Sequence, residues 1–412
     1  MTPGSIAILG AGPVGLEAAL AAAEAGWAFT VFESSSDVAG NVRSWGHVQL
    51  FTPWSMNVSS RVRARLAEVG REPPNGEEYP TGDQLVDQVF EPLAEAPEIS
   101  PHVQLDTRIL EISRDGLLKN DEIGTGVRAR HTFRLLVRDA GGQERVEYAD
   151  IVLDCTGTYD NPNALGLGGI AAPGERAADD YIIRRIPDFE APILKGDAPG
   201  WGGMRILLVG SGHSAQTVAR DLLGVIERVP ETRVTWTIRS ASPTFGAVEN
   251  DALPARDSLV EQARALAYGS DSPFDVRLGR SVHALETGPD GIIVSLRAED
   301  GSIEHVLVDR IISMTGSVGD ARMYRQLQVH ECYATSGPMN LAAALLASSS
   351  ADCLTQESQG ADTLKNPEPD FYILGSKSYG RNSTFLLRVG WAQVDEVFSL
   401  LGTSPPVVPA HA

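Results

Sequence analysis

An α/β fold made of two Rossmann-like, three-layer (ββα) domains, the second inserted into a discontinuous first, is predicted by three features of the sequence. The segments Ser5 to Glu33 and Met204 to Arg239 repeat one pattern: a short β-branched strand, a glycine turn, an Ala/Leu-rich helix and a second strand. Their glycine turns open at Gly10 and Gly210, 200 residues apart, which is the spacing of whole domains and not of a solenoid repeat. Two apolar strands, Asp150 to Gly157 and Asp309 to Gly316, both end in Thr-Gly and bracket the second unit. A chain that leaves one domain at the first Thr-Gly and re-enters it at the second accounts for all three. The expected division is 1–160 with 311–402, an insert of 161–310, and a disordered tail from 403 to 412. Pro/Gly-rich linkers at Asn161 to Gly174 and Gly196 to Gly203 stand near one crossing and inside the insert.

The remaining elements follow in order. Val42 to Asn57 is aromatic and glycine-punctuated, and reads as loop. Leu85, Val86, Val89, Phe90 and Leu93 give Asp83 to Glu95 a helical spacing. Val103 to Leu117 and Thr132 to Arg138 alternate as strands, with a charged loop from Lys119 to Arg130 between them. Phe371 opens a last strand, which leads through Ser376 to Ser383 into a helix from about Thr384 to Leu401.

Composition narrows the function. The 412 residues suffice for two to three domains with large cores. A formal net charge of −20 argues against a nucleic-acid binder, which needs a basic face, and against docking on anionic lipid, and makes individual cations informative. The 3 cysteines, Cys155, Cys332 and Cys353, form no C-x-x-C, which excludes a disulfide framework, a Cys-rich zinc site and a dithiol centre on adjacent cysteines. A reducing, cytoplasmic compartment is expected. Ile6 to Ala28 is apolar, but Glu17, Glu24 and the glycines interrupt it, so neither a signal peptide nor a membrane span is predicted.

Two stretches carry chemistry. Gly10-Ala-Gly12-Pro13-Val14-Gly15 lies between a strand and a helix. Gly10 permits the turn, Gly12 lets a pyrophosphate approach, Gly15 lets helix and strand pack closely, and the helix start supplies N–H donors. Glu33 ends the next strand, where a carboxylate can accept hydrogen bonds from a ribose diol. Gly210-Ser-Gly212-His213-Ser214-Ala215 is the variant with alanine at the packing position, and its second strand ends in Arg239. Arginine there suits a 2′-phosphate, so NADP is preferred over NAD. His213 could contact a phosphate or the nicotinamide, or simply pack at the helix start. Two dinucleotide sites imply two nucleotides, most economically FAD and NADPH.

The order of these motifs, with Asp154-Cys-Thr156-Gly157, Met314-Thr315-Gly316 and the C-terminal strand–loop–helix, resembles the two-dinucleotide-binding-domain flavoproteins over nearly the whole chain. These include thioredoxin-reductase-like enzymes and class B flavin monooxygenases. The resemblance implies that Gly10, Gly12, Gly15 and Glu33, with Pro13 and Val14 in the turn, hold the ADP half of FAD. It likewise assigns Gly210, Gly212, His213, Ser214, Ala215 and Arg239 to NADPH, and places Thr156-Gly157 and Thr315-Gly316 near the flavin and the domain hinge. Three departures stand out. Paired thiols are absent, against a disulfide reductase. Asp180 to Pro192 lacks the F-x-G-x-x-x-H fingerprint of the monooxygenases. Gly375-Ser-Lys377-Ser378-Tyr-Gly-Arg381 replaces the usual Gly-Asp, and its continuation to Phe385 resembles a bacterial subfamily of FAD-dependent oxidoreductases. There Lys377 or Arg381 could pair with the pyrophosphate or with a reduced flavin, or be surface cations in a turn.

Secondary candidates are Arg43 for the FAD phosphates and Phe51 to Trp54 beside the isoalloxazine or as a packed aromatic loop. Arg256 could serve the 2′-phosphate. His330 and Cys332 could line the substrate side, and loop packing is favoured over a metal pair, so no metal is expected. The implied activity is hydride transfer from nicotinamide C4 to flavin N5, then reaction with O₂ to a C4a-(hydro)peroxyflavin that oxygenates a small organic substrate. Alternatives are a reductase serving a quinone, protein or small-molecule acceptor, and a nucleotide-binding redox sensor without turnover. Neither nucleic acid nor membrane is an expected partner, a homodimer is admissible, and no catalytic side chain is named.

Overall fold

A computed structural model of the chain describes residues 4–190, 200–348, 354 and 356–402. Cys353, the tail from Thr403 and part of the Gly196 to Gly203 linker lie outside the described residues. The chain divides into one unit of Met1–Asn161 with Val318–Ala412 and a second of Pro162–Ser317.

The first unit begins β1 (Ser5–Leu9), α1 (Pro13–Glu24), β2 (Ala28–Phe32), α2 (Ser60–Glu68), β3 (Val103–Gln104), β4 (Arg108–Arg114), β5 (Phe133–Arg138), β6 (Glu144–Ala149) and β7 (Ile151–Asp154). The inserted unit runs β8 (Ile182–Ile183), β9 (Arg205–Val209), α3 (His213–Arg228), β10 (Arg233–Ile238), α4 (Pro254–Tyr268), β11 (Asp275–Leu278), β12 (Arg280–Gly288), β13 (Gly291–Ala298), β14 (Ile303–Val308) and β15 (Arg310–Ser313). The first unit then resumes with α5 (Met339–Ser348), β16 (Phe371–Ile373) and α6 (Leu387–Leu401).

Each unit holds a parallel sheet, ordered β16-β7-β1-β2-β3 in the first and β11-β10-β9-β15-β8 in the second, and an antiparallel sheet, β4-β5-β6 and β12-β13-β14. The layering follows from alternation. In β1, Ile6 and Ile8 join the core under the helices, while Ala7 and Leu9 join the core with Phe133, Leu135 and Val137 of β5. In β9, Ile206 and Leu208 pack with α3 and α4 residues, while Leu207 and Val209 pack against Ile292, Val294 and Leu296 of β13. A strand buried on both faces is a near-continuous apolar run, and a strand covered on one face alternates. The predicted three layers are therefore present in both units.

Several boundaries differ from expectation. The return crossing lies at Ser317/Val318 and not at 310/311: β15 is paired with both β9 and β8, so a cut at 311 would tear a strand from its sheet. Val103 to Leu117 is not one strand. Asp106 adopts a left-handed φ of 49°, which breaks the run into β3, parallel to β2, and β4, antiparallel to β5. The expected loop Val42 to Asn57 contains a short helix, Trp54–Asn57. The helix expected from Thr384 starts at Leu387. Among the described residues no helix is long and apolar enough to cross a membrane.

Candidate dinucleotide sites

The loops following β1, β7 and β16 emerge side by side, because these strands are neighbours in one parallel sheet. Gly10 has φ 93°, and a Cβ there would lie 3.0 Å from the Cys155 carbonyl. A Cβ at Gly15 would collide with the Gly10 carbonyl, whereas one at Gly12 would meet nothing within 4 Å. The turn is thus closed on its inner side and open at Gly12, where α1 begins. Pro13 opens that helix without sacrificing a needed N–H. Val14 packs near Gly375, where a Cβ would lie 3.2 Å from it. The buried Glu33 carboxylate accepts from Ala11 N at 2.7 Å and Ser35 N at 2.8 Å, so it ties the glycine turn to the end of β2. Oε1 also accepts from Ser34 Oγ at 3.4 Å, and Oε2 keeps a further lone pair for a ribose hydroxyl.

The inserted unit repeats this construction. Gly210 has φ 127°, and a Cβ there would collide with the Met314 carbonyl, while Gly212 again meets nothing within 4 Å. Gly10 N and Gly210 N donate to Phe32 O and Thr237 O at 2.8 and 3.1 Å, and Cys155 N and Met314 N donate to Leu9 O and Val209 O at 3.0 and 2.8 Å. Asp150 and Asp309 each accept a backbone N–H, from Ser5 and Arg205, at 2.7 Å. Ala215 is fully buried, Ser214 is exposed, and His213 is the first residue of α3. Burial, reinforced by the charge of Arg256, pushes the His213 imidazole below its usual range. Arg239 stands exposed just beyond β10 and makes no ion pair among the described residues.

A family profile described as NAD(P)-binding Rossmann-like domain matches residues 8–64. No curated protein is significantly similar in sequence. Among solved structures, bacillithiol disulfide reductase Bdr (YpdA) from Bacillus cereus superposes with a TM-score of 0.68 at 16% identity, over 97% of this chain and 98% of that one. The ornithine N-hydroxylase of Kutzneria sp. 744, solved with reduced FAD, NADP⁺ and L-ornithine, gives 0.64 at 14% identity over 97% and 99%. Thioredoxin reductase of T. acidophilum gives 0.55 at 12% over 97% and 99%. The chain has the two-dinucleotide-binding-domain flavoprotein fold.

Within this fold several of the expected site residues have protein partners. Lys377 is 2% exposed and ion-paired to the fully buried Asp154 at 2.6 Å. The cause is topological, since β16 lies beside β7 and its loop falls on the end of that strand. Ser378 is turned inward, donating to Gly375 O at 2.7 Å and accepting from Gln393 Nε2 at 2.9 Å. Arg43 pairs with Glu91 at 2.6 Å and donates to Val38 O. Trp54 is buried in the core under the helices, the packed aromatic of the two readings. Arg256 is buried in a two-pronged pair with Asp251, at 2.6 and 2.7 Å. Thr315 and Gly316, assigned to the first domain, belong to the inserted unit, where Asn163 bonds Thr315 O and accepts from its hydroxyl. His330 is exposed, and Cys332 is half-buried, its thiol held below the usual range by hydrogen bonding with Thr335. Among the described residues no three His, Cys, Asp or Glu come together to hold a metal ion.

Four residues were not anticipated. Asp154 anchors Thr156, Gln393 anchors Gly375, Trp236 donates from Nε1 to Gly210 O at 2.8 Å, and Gln216 donates to Ser211 O and Phe245 O. A polar residue within an apolar helix face is the signal that could have exposed Gln216 and Gln393. The residues present fit a dinucleotide in each unit: a helix start opening at a glycine with free space before it, then an acid at one β2-type strand end and an unpaired arginine at the other.

Proposed function

We propose that the chain is an FAD-dependent, NADPH-using oxidoreductase, and that its reaction is mono-oxygenation of a small organic substrate. The observation that carries the cofactor pair is the duplicated glycine turn with opposite strand-end chemistry, Glu33 in one unit and an exposed Arg239 in the other. In the first unit Gly10 to Gly15 would receive the pyrophosphate of FAD and Glu33 its adenosine ribose. In the second, Gly210 to Ala215 would receive the pyrophosphate of NADPH and Arg239 its 2′-phosphate. The bound flavin supplies hydride acceptance and subsequent electron delivery to O₂. The protein's residues bind, orient and exclude water; one oxygen atom enters the substrate and the other leaves as water, with NADPH oxidised to NADP⁺.

Of the two described cysteines, Cys155 speaks against thiol chemistry, whereas Cys332 is half-buried with its thiol held below the usual range. Cys155 is buried beneath the glycine turn, and burial pushes its thiol far above the usual range, so it is a poor thiolate. The likeness to a disulfide reductase supports a second reading, in which the same cofactors serve a quinone, protein or small-molecule acceptor. Anaerobic NADPH should bleach the flavin absorbance; a flavin that never bleaches would instead mark a redox sensor. Oxygen uptake matched to substrate oxygenation supports the monooxygenase, and acceptor reduction without oxygen uptake supports the reductase.

A further inference from the structure

The ends of β7 and β15 are equivalent by register. Asp154 lies opposite Leu9, and Ser313 lies opposite Val209, each two residues before a Thr-Gly. In the inserted unit Ser313 Oγ is 3.2 Å from Thr315 Oγ1. In the first unit Asp154 Oδ1 accepts from Thr156 Oγ1 at 2.7 Å and from Thr156 N at 3.2 Å. The first unit therefore holds the same turn with a charge where the second uses a hydroxyl.

That charge is matched. Lys377 Nζ lies 2.6 Å from Asp154 Oδ2 and 3.2 Å from Thr156 Oγ1, closing a ring through the carboxylate and the hydroxyl. Its stem runs so close to Gly319 that a Cβ there would collide with it, and its Nζ sits 4.9 Å from the Tyr324 ring centroid. The network backs onto the glycine turn: a Cβ at Gly10 would be 3.3 Å from Thr156 Cα. A bare carboxylate there would fix the turn but repel an anionic ligand, and a buried unpaired ion is costly in itself. Ser313 has no charge to offset, and no lysine among the described residues is paired with it.

We propose that Lys377 is a positioning residue for the dinucleotide of the first unit: it neutralises Asp154, so that Asp154 can fix the Thr156-Gly157 turn without presenting a negative charge to the phosphate site. The proposal rests on the reading that this unit binds FAD. The other titratable groups facing the pair are Cys155, Tyr324 and Asp320. Burial pushes the Cys155 thiol and the Tyr324 phenol far upward, so both stay protonated near neutral pH. Burial works to raise Asp320, but its bonds with Arg322 hold it below the usual carboxylate range, so it stays ionised. Without Lys377, Asp154 is left in this cluster as a buried carboxyl with its cation removed.

The test is the affinity of the apoprotein for FAD, read by flavin fluorescence between about pH 6 and about pH 8.5. The wild type and Lys377→Arg should give flat profiles. Lys377→Met should bind FAD roughly tenfold more weakly than the wild type at the alkaline end, where the carboxyl facing the phosphate site has lost its cation. The double variant K377M/D154N should bind more tightly than K377M at the alkaline end. K377M binding as tightly as the wild type at the alkaline end, or a double variant as weak as K377M at every pH, overturns the proposal. Circular dichroism covers the folding arm: K377M unfolded with K377M/D154N folded supports it, and both unfolded overturns it. A wild type that takes up no FAD at any pH removes the FAD reading itself, before any variant is compared.

Discussion

Gly12 and Gly15 occupy one turn yet should fail in different ways. A Cβ at Gly12, whose φ is −81°, enters open space, so the fold has room for it but the phosphate cradle does not. Gly12→Ala should leave the apoprotein's melting temperature nearly unchanged and abolish FAD retention on purification. Gly15→Ala drives a Cβ into the Gly10 carbonyl, and should lower the apoprotein's stability as well, by an amount in the range of about 1–3 kcal/mol typical of overpacking. Chemical denaturation of the two variants without cofactor separates the cases. At the other turn Arg239 has no partner to lose, so Arg239→Ala should spare folding. It should weaken NADPH by roughly 10- to 100-fold, the worth of a charge-assisted bond of about 1.5–3 kcal/mol, and leave NADH nearly unaffected. Equal losses for both nucleotides would detach Arg239 from the 2′-phosphate. Arg43 and Arg256 were comparable candidates by residue type and motif, but Glu91 and Asp251 already hold them. Which cation remains available is a property of its neighbours and not of its type.

At the level of elements, the first unit depends on a buried ion cluster that carries no motif. Glu368, in the turn before β16, bonds Arg114 at the end of β4 at 2.7 Å, and Arg128 from the loop between β4 and β5 at 2.7 Å. Gln328 N donates to the same carboxylate at 2.8 Å. All three ionised side chains are essentially unexposed, and the Arg114 guanidinium lies 3.6 Å from the Phe133 ring centroid. Glu368→Gln leaves two arginines unbalanced and should cost about 3–5 kcal/mol in urea denaturation. Burial acts to raise the Glu368 carboxyl, yet Arg128, the Gln328 N–H and Arg114 hold it below the usual range. A carboxylate depressed in the folded state adds stability that is complete above its unfolded pKa and vanishes as pH falls through its folded pKa. E368Q should therefore lose stability at neutral pH and converge on the wild type in acid. The paired residues are 254 and 240 positions apart in sequence, which is why no local pattern announces the cluster.

For the whole molecule, ligands that bind separate units should report separately. FAD and NADP⁺ should each raise the melting temperature, since a ligand present at about 100 times its dissociation constant stabilises by about 2.7 kcal/mol. Gly12→Ala should remove the FAD effect and keep that of NADP⁺, and Arg239→Ala should keep the FAD effect and cut that of NADP⁺ to about 0.4–1.4 kcal/mol. A single nucleotide responsible for both effects would contradict the two-site reading.

The sequence by itself determined the fold class, the insertion of one unit into the other, both glycine turns and the strand-end residues Glu33 and Arg239. These are set by local rules: an apolar run makes a doubly covered strand, and a glycine two or five positions on either permits approach or permits packing. Tertiary structure alone decided where the second crossing falls, because strand membership at β15 depends on its partners β9 and β8. It also decided the fate of Lys377, Ser378, Arg43 and Arg256. A charged side chain in a loop can face water, ligand or core, and the choice is made by counter-ions brought in from distant sequence, as Asp154 is brought to Lys377 by the pairing of β7 with β16.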